Sequence, residues 1–268
     1  MQFEREAEAI EVSVVIPCLN EEDTLGSCIE KARQALREHN ITGEIIVADN
    51  GSTDSSRTIA QQEGARVVMV KESGYGSALM GGIAAATGRF VIIGDADASY
   101  DFLEIPNIIK KLREGFDLVQ GCRLPSGGGS IQPGAMPFLH RWVGNPLFSF
   151  LVRRWFHAPI NDVYCGLRGF SKTMYQRIDQ RCTGMEFATE MIIKASLRGE
   201  KIAEVPHSIP RQAYLTRPAL ENISRWLADV PLFFNVQSAL AFCGPRWRLH
   251  CLRPAWLSGG HAGSAHRT

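Results

Sequence analysis

The sequence offers no uninterrupted apolar run of the ~20 residues that a membrane-crossing helix needs. Its longest charge-free apolar stretch near the C-terminus, residues 230–245, is broken by Pro231, Asn235 and Gln237. The N-terminus, MQFEREAEAIEV, lacks the apolar core of a secretory signal and reads as a short arm over residues 1–11. Net charge is almost absent too. With 29 basic against 28 acidic side chains the balance is +1, so no bulk field favours nucleic acid or another polyanion. Cysteines are present but unpatterned: Cys18, Cys28, Cys122, Cys165, Cys182, Cys243 and Cys251 form no CxxC pair. That argues against a disulfide framework and a zinc site, and fits a cytoplasmic location. No full GxGxxG follows the first apolar run, so the dinucleotide fingerprint of a dehydrogenase is missing, although Gly74-Tyr75-Gly76 carries a fragment of one. The histidines show no ligand spacing.

What is present is an alternation of short β-rich runs with helical stretches. VSVVIP (12–17), EIIVADN (44–50), ARVVMVK (65–71), RFVIIG (89–94) and residues 116–121 read as strands. Between them, residues 22–39, 52–63, 74–87 and 105–114 read as helices, the second with Ser52 or Thr53 as N-cap. The pattern predicts an α/β fold, a Rossmann-like, mostly parallel sheet flanked by helices, and 268 residues suffice for one such domain.

After residue 121 the rhythm breaks. Pro125, Gly127, Gly128, Gly129, Pro133 and Gly134 compose a loop suited to closing over a ligand. Residues 136–160 interleave Trp142, Phe148, Phe150, Trp155 and Phe156 with Arg141, Arg153 and Arg154. That is an amphipathic surface for membrane contact, or equally core plus a solvated face. Residues 184–197 read as a buried helix, IAEVPHSIP as a late strand, 219–250 as an amphipathic helical segment and 251–268 as a disordered tail.

The chemistry concentrates at strand ends. Asp95-Ala96-Asp97 follows the apolar run FVIIG, and two carboxylates one residue apart suit a hard divalent cation, Mg²⁺ or Mn²⁺. The first strand closes in Pro17-Cys18-Leu19-Asn20-Glu21-Glu22 and the second in Asp49-Asn50-Gly51-Ser52-Thr53-Asp54. In a parallel sheet these ends converge on one crevice, where such sheets bind ligands. Glu22 and Asp54 read as helix-start residues. Glu186 and Glu190, four apart on one helical face, include a candidate general base, with a structural role on the exposed helix surface equally open.

VSVVIPCLNEED, IIVADNGSTDSS and VIIGDADASYDF, in this order and spacing, resemble the N-terminal motifs of family 2 inverting glycosyltransferases with the GT-A fold. ESGYGSALMGGIAAATGRF and NDVYCGLRGFSK are similar to the Gly-rich and acceptor-side motifs of the dolichol-phosphate and polyprenyl-phosphate sugar transferases. The resemblance spans residues 12–218, the expected catalytic domain. It implies that Pro17, Leu19, Glu21, Asp49 and Asn50 line the base and ribose pocket. It also implies that Asp95, Ala96 and Asp97 meet the diphosphate, the two aspartates through metal, and that Arg123 lies near the diphosphate. Arg141, Arg211 and Arg217 are the implied acceptor-phosphate residues. The implied reaction moves a hexose from a UDP-glucose or GDP-mannose type donor to a lipid-linked phosphate at the cytoplasmic face of a membrane. Two alternatives stay open: a transferase of the same fold using a soluble or polysaccharide hydroxyl, and a non-catalytic nucleotide-sugar-binding protein. Leu19 stands where relatives often carry an aromatic, and Ser99 where they carry an amide.

Overall fold

Val- and Ile-rich runs favour extended backbone, and here they pair as β1 (Val12–Cys18), β2 (Gly43–Asp49), β3 (Arg66–Met69), β4 (Phe90–Ile93) and β5 (Leu118–Cys122). The computed structural model describes residues 9–131 and 145–209, all within the first of two compact units, Met1–Arg225. The expected segments 219–250 and 251–268, and most of the N-terminal arm, lie outside the described residues.

Two further strands complete the sheet, β7 (Arg168–Ser171) and β8 (Ile202–Pro206). The order is β3-β2-β1-β4-β7-β5-β8. All pairings are parallel except those of β7, which runs antiparallel to both β4 and β5. The carboxyl ends of six strands therefore share one edge with the beginning of β7. The sheet is mixed and mostly parallel, as the alternation predicted; the antiparallel strand was not foreseen.

Period-two alternation along β1 sorts its side chains onto two cores. Val12, Val14 and Ile16 pack with Leu25, Ile29 and Ala32 of α1 (Leu25–Glu38) and with Ile105, Ile108 and Leu112 of α4 (Ile105–Arg113). Val15 packs on the other face with Leu79 and Ile83 of α3 (Tyr75–Ala85). That second core also takes in α5 (Asn145–Phe156), α6 (Lys172–Ile178) and α7 (Phe187–Leu197).

Two expectations need correction. Neither Ser52 nor Thr53 caps α2 (Ser56–Gln62), whose N-cap residue is Ser55. The Ser52 hydroxyl accepts instead from the Asn20 backbone N–H at 3.0 Å, joining the first two strand-end loops. The Gly-rich stretch after β5 is not structureless either. It contains a 3₁₀ turn, Pro125–Gly127, then β6 (Ser130–Ile131), which pairs in parallel with β9 (Ser208–Ile209).

Opposite the site, Glu44 ties the sheet's other edge together. Its carboxylate accepts from Ser13 Oγ at 2.7 Å, Thr87 N at 2.8 Å, Thr87 Oγ1 at 2.6 Å and Arg66 Nη2 at 2.6 Å. Burial works against the charge, but these donors prevail and bring its pKa to about 2. A depressed carboxylate stabilises the fold above its unfolded pKa of about 4.3 and loses that contribution as pH falls toward the folded value. Glu44→Gln is therefore expected to cost about 1–2 kcal/mol at pH 7. The difference from wild type should shrink between about pH 4.5 and pH 2 in urea unfolding curves.

Candidate functional site

The first two strand-end loops interlock. Asn20, held at φ +56°, accepts from Thr53 N through its side chain at 2.8 Å. The Glu21 N–H donates to Ser56 Oγ at 2.9 Å, and Glu22 and Ser55 are joined at 2.9 Å. Pro17 is buried in β1, while Leu19 is half exposed beside it. Asp49 is fully buried and accepts from Gly51 N and Ser52 N, both at 3.2 Å, which closes its own turn. Asn50 is used as a connector: Nδ2 donates to the carbonyls of Val70 and Glu72, and Oδ1 accepts from Gly74 N at 2.8 Å. It thereby places the Gly-rich turn ahead of α3.

That turn reaches the acidic pair. Tyr75 donates its hydroxyl to Asp95 Oδ1 at 2.8 Å. Asp95 Oδ2 faces the backbone of Gly166, where an added Cβ would stand only 2.7 Å away. Below the pair, the buried Cys28 thiol lies 3.4 Å from the Ala96 carbonyl and holds the turn from beneath. Asp97 accepts from Ser99 N at 2.9 Å. Burial first, and then the Asp97 charge, push the Asp95 carboxyl well above the ordinary carboxylate range. A cation at this point would relieve both penalties.

Among the described residues no three His, Cys, Asp or Glu side chains group as a complete metal cage. Two carboxylates with further ligands to come from phosphate oxygens is how Mg²⁺ is typically held at nucleotide sites, so Asp95 and Asp97 fit Mg²⁺ or Mn²⁺.

Arg123, just beyond β5, is buried and already paired. Its Nε and Nη2 donate to Asp162 at 2.7 and 2.9 Å, its backbone N–H to the same carboxylate at 3.0 Å, and Nη1 approaches the Tyr100 hydroxyl at 3.4 Å. The pair holds the Arg123 pKa well above its ordinary value and the Asp162 carboxyl below its own, in each case against the effect of burial. Glu204 accepts from the N–H groups of Asn161 and Asp162 and so fixes the same loop. The Tyr100 hydroxyl accepts from Gly166 N at 2.7 Å. The segment 161–166 is thus locked to Arg123 on one side and pressed against Asp95 on the other.

Glu190 is not a helix-surface residue. It is 2% exposed, accepts from Arg181 N and Cys182 N at 3.0 and 2.7 Å, and pairs with Lys194 at 2.6 Å. The 181–184 backbone it braces receives Ser77 N at 3.0 Å on Thr183 O and packs on Gly76, where a Cβ would meet Cys182 O at 2.4 Å. Glu190 therefore supports Tyr75, and through it Asp95, from a distance. Glu190→Ala is expected to cost about 2–4 kcal/mol by stranding Lys194 and two N–H groups, with the shape of the pH–rate profile unchanged. A lost acidic limb at unchanged stability would make it a base instead.

Pro17, Glu21, Asp49, Asn50, Asp95, Ala96, Asp97 and Arg123 all lie on the edge formed by the strand ends. Arg141, Arg211 and Arg217 lie outside the described residues. Tyr75, Gly166 and Asp162 were not singled out from the sequence. Their only signal was membership of the two Gly-containing motifs.

The model for glycosyl transferase family 2 matches residues 13–179. The chain belongs to glycosyltransferase family 2. This family 2 glycosyltransferase is 41% identical over 196 residues to the low-salt glycan biosynthesis hexosyltransferase Agl6 of Haloferax volcanii. That match covers 73% of this chain but 46% of the relative, so the chain spans less than half of that protein's length. It is 30% identical over 197 residues to the dolichyl-phosphate hexose transferase of the same organism, covering 73% of this chain and 81% of that one.

Among solved structures, glucosyl-3-phosphoglycerate synthase from Mycobacterium tuberculosis with Mn²⁺, UDP and phosphoglyceric acid shares the fold. The TM-score is 0.64 at 24% identity, covering 87% of this chain and 78% of that one. The same synthase with Mg²⁺ and UDP aligns at 26% identity and a TM-score of 0.59, over 74% of this chain and 70% of that one. The family 2 glycosyltransferase thus has the GT-A fold that its motifs implied.

Proposed function

We propose that this family 2 glycosyltransferase is an inverting hexosyltransferase. It moves a hexose from a UDP-glucose or GDP-mannose type donor to a polyprenyl or dolichyl phosphate, using Mg²⁺ or Mn²⁺. The observation that carries the reading is the contact of the 161–166 segment with Asp95: the acceptor-side motif and the acidic pair meet at Gly166. The relative named a dolichyl-phosphate hexose transferase supports the acceptor class. The neighbours solved with UDP and Mn²⁺ or Mg²⁺ support the donor and the metal.

In this reading the strand-end loops bearing Pro17, Leu19, Glu21, Asp49 and Asn50 receive base and ribose, and Asp95 and Asp97 hold the metal. Mg²⁺ or Mn²⁺ held there would supply positive charge against that of the leaving diphosphate. The acceptor phosphate oxygen forms the new bond at the anomeric carbon from the face opposite the diphosphate. The bond to the diphosphate breaks, and its electron pair leaves with that group. A phosphate oxygen is anionic at neutral pH, so no side chain has to remove a proton. The structural role of Glu190 is in keeping with this. Arg123 contributes as a fixed, Asp162-held dipole with Nη1 turned toward Tyr100, and positioning supplies much of the rate. Arg141, Arg211 and Arg217 are the proposed acceptor-phosphate residues. Residues 12–218 would form the catalytic domain, peripheral on the cytoplasmic face of a membrane.

A second reading, a soluble phosphorylated acceptor, is favoured by the likeness, at 26% identity, to the same synthase solved with phosphoglyceric acid. One assay separates the two: UDP-glucose and GDP-mannose, each with Mn²⁺ or Mg²⁺, offered polyprenyl phosphate or phosphoglyceric acid. Product on polyprenyl phosphate is expected. Product on the soluble acceptor alone would overturn the lipid reading.

A further inference from the structure

Helix α5, NPLFSFLVRRWF, has one face committed to the protein and another left to solvent. Asn145, Ser149, Val152 and Phe156 are buried, at the i, i+4, i+7 and i+11 spacing of a single helical stripe. Leu147, Phe150 and Trp155 point away from it and are 56%, 52% and 54% exposed. On a helix these three, with half-buried Leu151 and exposed Arg154, fall on one side, with Arg153 at its margin. From residue 145 to 160 there is no acidic residue, while Arg153, Arg154 and His157 lie at the C-terminal end of the patch, all exposed.

An outward apolar face so large is unusual for a helix packed on a soluble core, where that side is normally polar. Aromatics and leucines on one side with arginines at its end are the composition of a helix lying in a bilayer interface. The apolar side chains enter the acyl boundary and the cations meet anionic headgroups.

Helix α5 is also bonded to the acceptor-side segment, from its buried stripe and from the margins beside it. Ser149 Oγ accepts from Val163 N at 3.2 Å, Phe148 packs on Tyr164 with ring centroids 5.1 Å apart, and Arg153 Nη1 donates to Asn161 Oδ1 at 2.5 Å. The same segment ends at Gly166 against Asp95. Among the described residues no helix is long and apolar enough to cross a membrane.

We propose that the Leu147, Phe150 and Trp155 face of α5 is the docking surface for an anionic bilayer, seating the 161–166 side of the site toward the lipid. Only the choice of occupant rests on the lipid-phosphate reading. The geometry of the face stands without it. Docking would hold a phosphate anchored in the bilayer beside the acceptor-side segment, and the donor loops at Asn20 and Asn50 would stay on the aqueous side for nucleotide exchange.

The test uses the full chain, as wild type, Phe150→Ser/Trp155→Ser and Arg154→Gln, with vesicles of phosphatidylcholine alone or containing roughly one-third phosphatidylglycerol. All three substituted side chains are exposed, so thermal unfolding should be within about 0.5 kcal/mol of wild type. Wild type is expected to sediment with the anionic vesicles. The double variant should lose roughly tenfold or more of that binding, and Arg154→Gln severalfold. Undiminished binding of the double variant, no binding by wild type, or a wild-type dimer that the double substitution dissolves would each overturn the proposal. Transfer to a short, water-soluble prenyl phosphate is measured in parallel and should be equal in wild type and the double variant. Vesicle binding lost in the double variant with no transfer by any form would leave the surface standing and remove the acceptor reading. Transfer with vesicle binding unaffected by the substitutions would do the reverse.

Discussion

Asp97→Asn is expected to reduce metal-dependent sugar transfer about a hundredfold or more while leaving the fold intact. Asparagine can still accept the bond that Ser99 N makes to Asp97 Oδ1, so the turn after β4 keeps its shape. What disappears is one of the two charges that would hold the cation. Asp95 alone, half-buried and bonded to Tyr75, is left to bind it. Donor affinity measured with and without Mn²⁺ should show the metal-dependent increment collapsing, with a melting temperature close to wild type. Transfer that stays metal-dependent at the wild-type rate would refute the assignment of Asp95 and Asp97.

The largest stability effect is expected at Asp162. The residue is fully buried and takes three donors from Arg123. Asp162→Ala would strand a guanidinium in a desolvated site, which typically costs about 3–5 kcal/mol. Removing both charges together is a different matter, because the desolvation penalty goes with them. Arg123→Met/Asp162→Leu should recover most of the lost stability in urea titrations. Activity separates the two roles of Arg123. If the guanidinium acts on the diphosphate, the double variant folds and transfers poorly. If it serves only to pin the loop, folding and transfer return together.

Much of the donor half was legible because its signals are local. β1, β2 and β4 are short apolar runs, each ending in polar residues, and a parallel sheet has to bring such ends to one edge. The other half depends on partners far apart in sequence. β7 has only four residues, one of them the fully buried Arg168, whose Nη1 and Nη2 donate to the carbonyls of Ala188 and Cys165. Nothing in a window around an arginine announces a central strand. Arg123 looked like a free cation for phosphate because its partner lies 39 residues on. Glu190 looked exposed because its acceptors are used by the backbone of a loop eight and nine residues earlier. Gly74-Tyr75-Gly76 drew notice as a fragment of a dinucleotide motif and as part of a Gly-rich motif, neither of which says what Tyr75 touches. The glycine at 76 is required by contact with Cys182 O, and the tyrosine reaches Asp95.

The place of β7 in the sheet also sets a timetable for synthesis. β5 emerges from the ribosome with β4 already made, but in the finished sheet the two never pair, since β7 lies between them. From Cys122 to Arg168 the nascent chain grows by roughly 45 residues, a wait of several seconds at ~5–20 residues per second. Throughout that time the edges of β4 and β5 are open and apolar, and must be kept from each other and from other chains. A fragment ending before Arg168 carries nearly every donor-side residue, yet its sheet has a gap in the middle. Such fragments are expected to collect in aggregates, and the growing chain to depend on chaperones until β7 closes the gap.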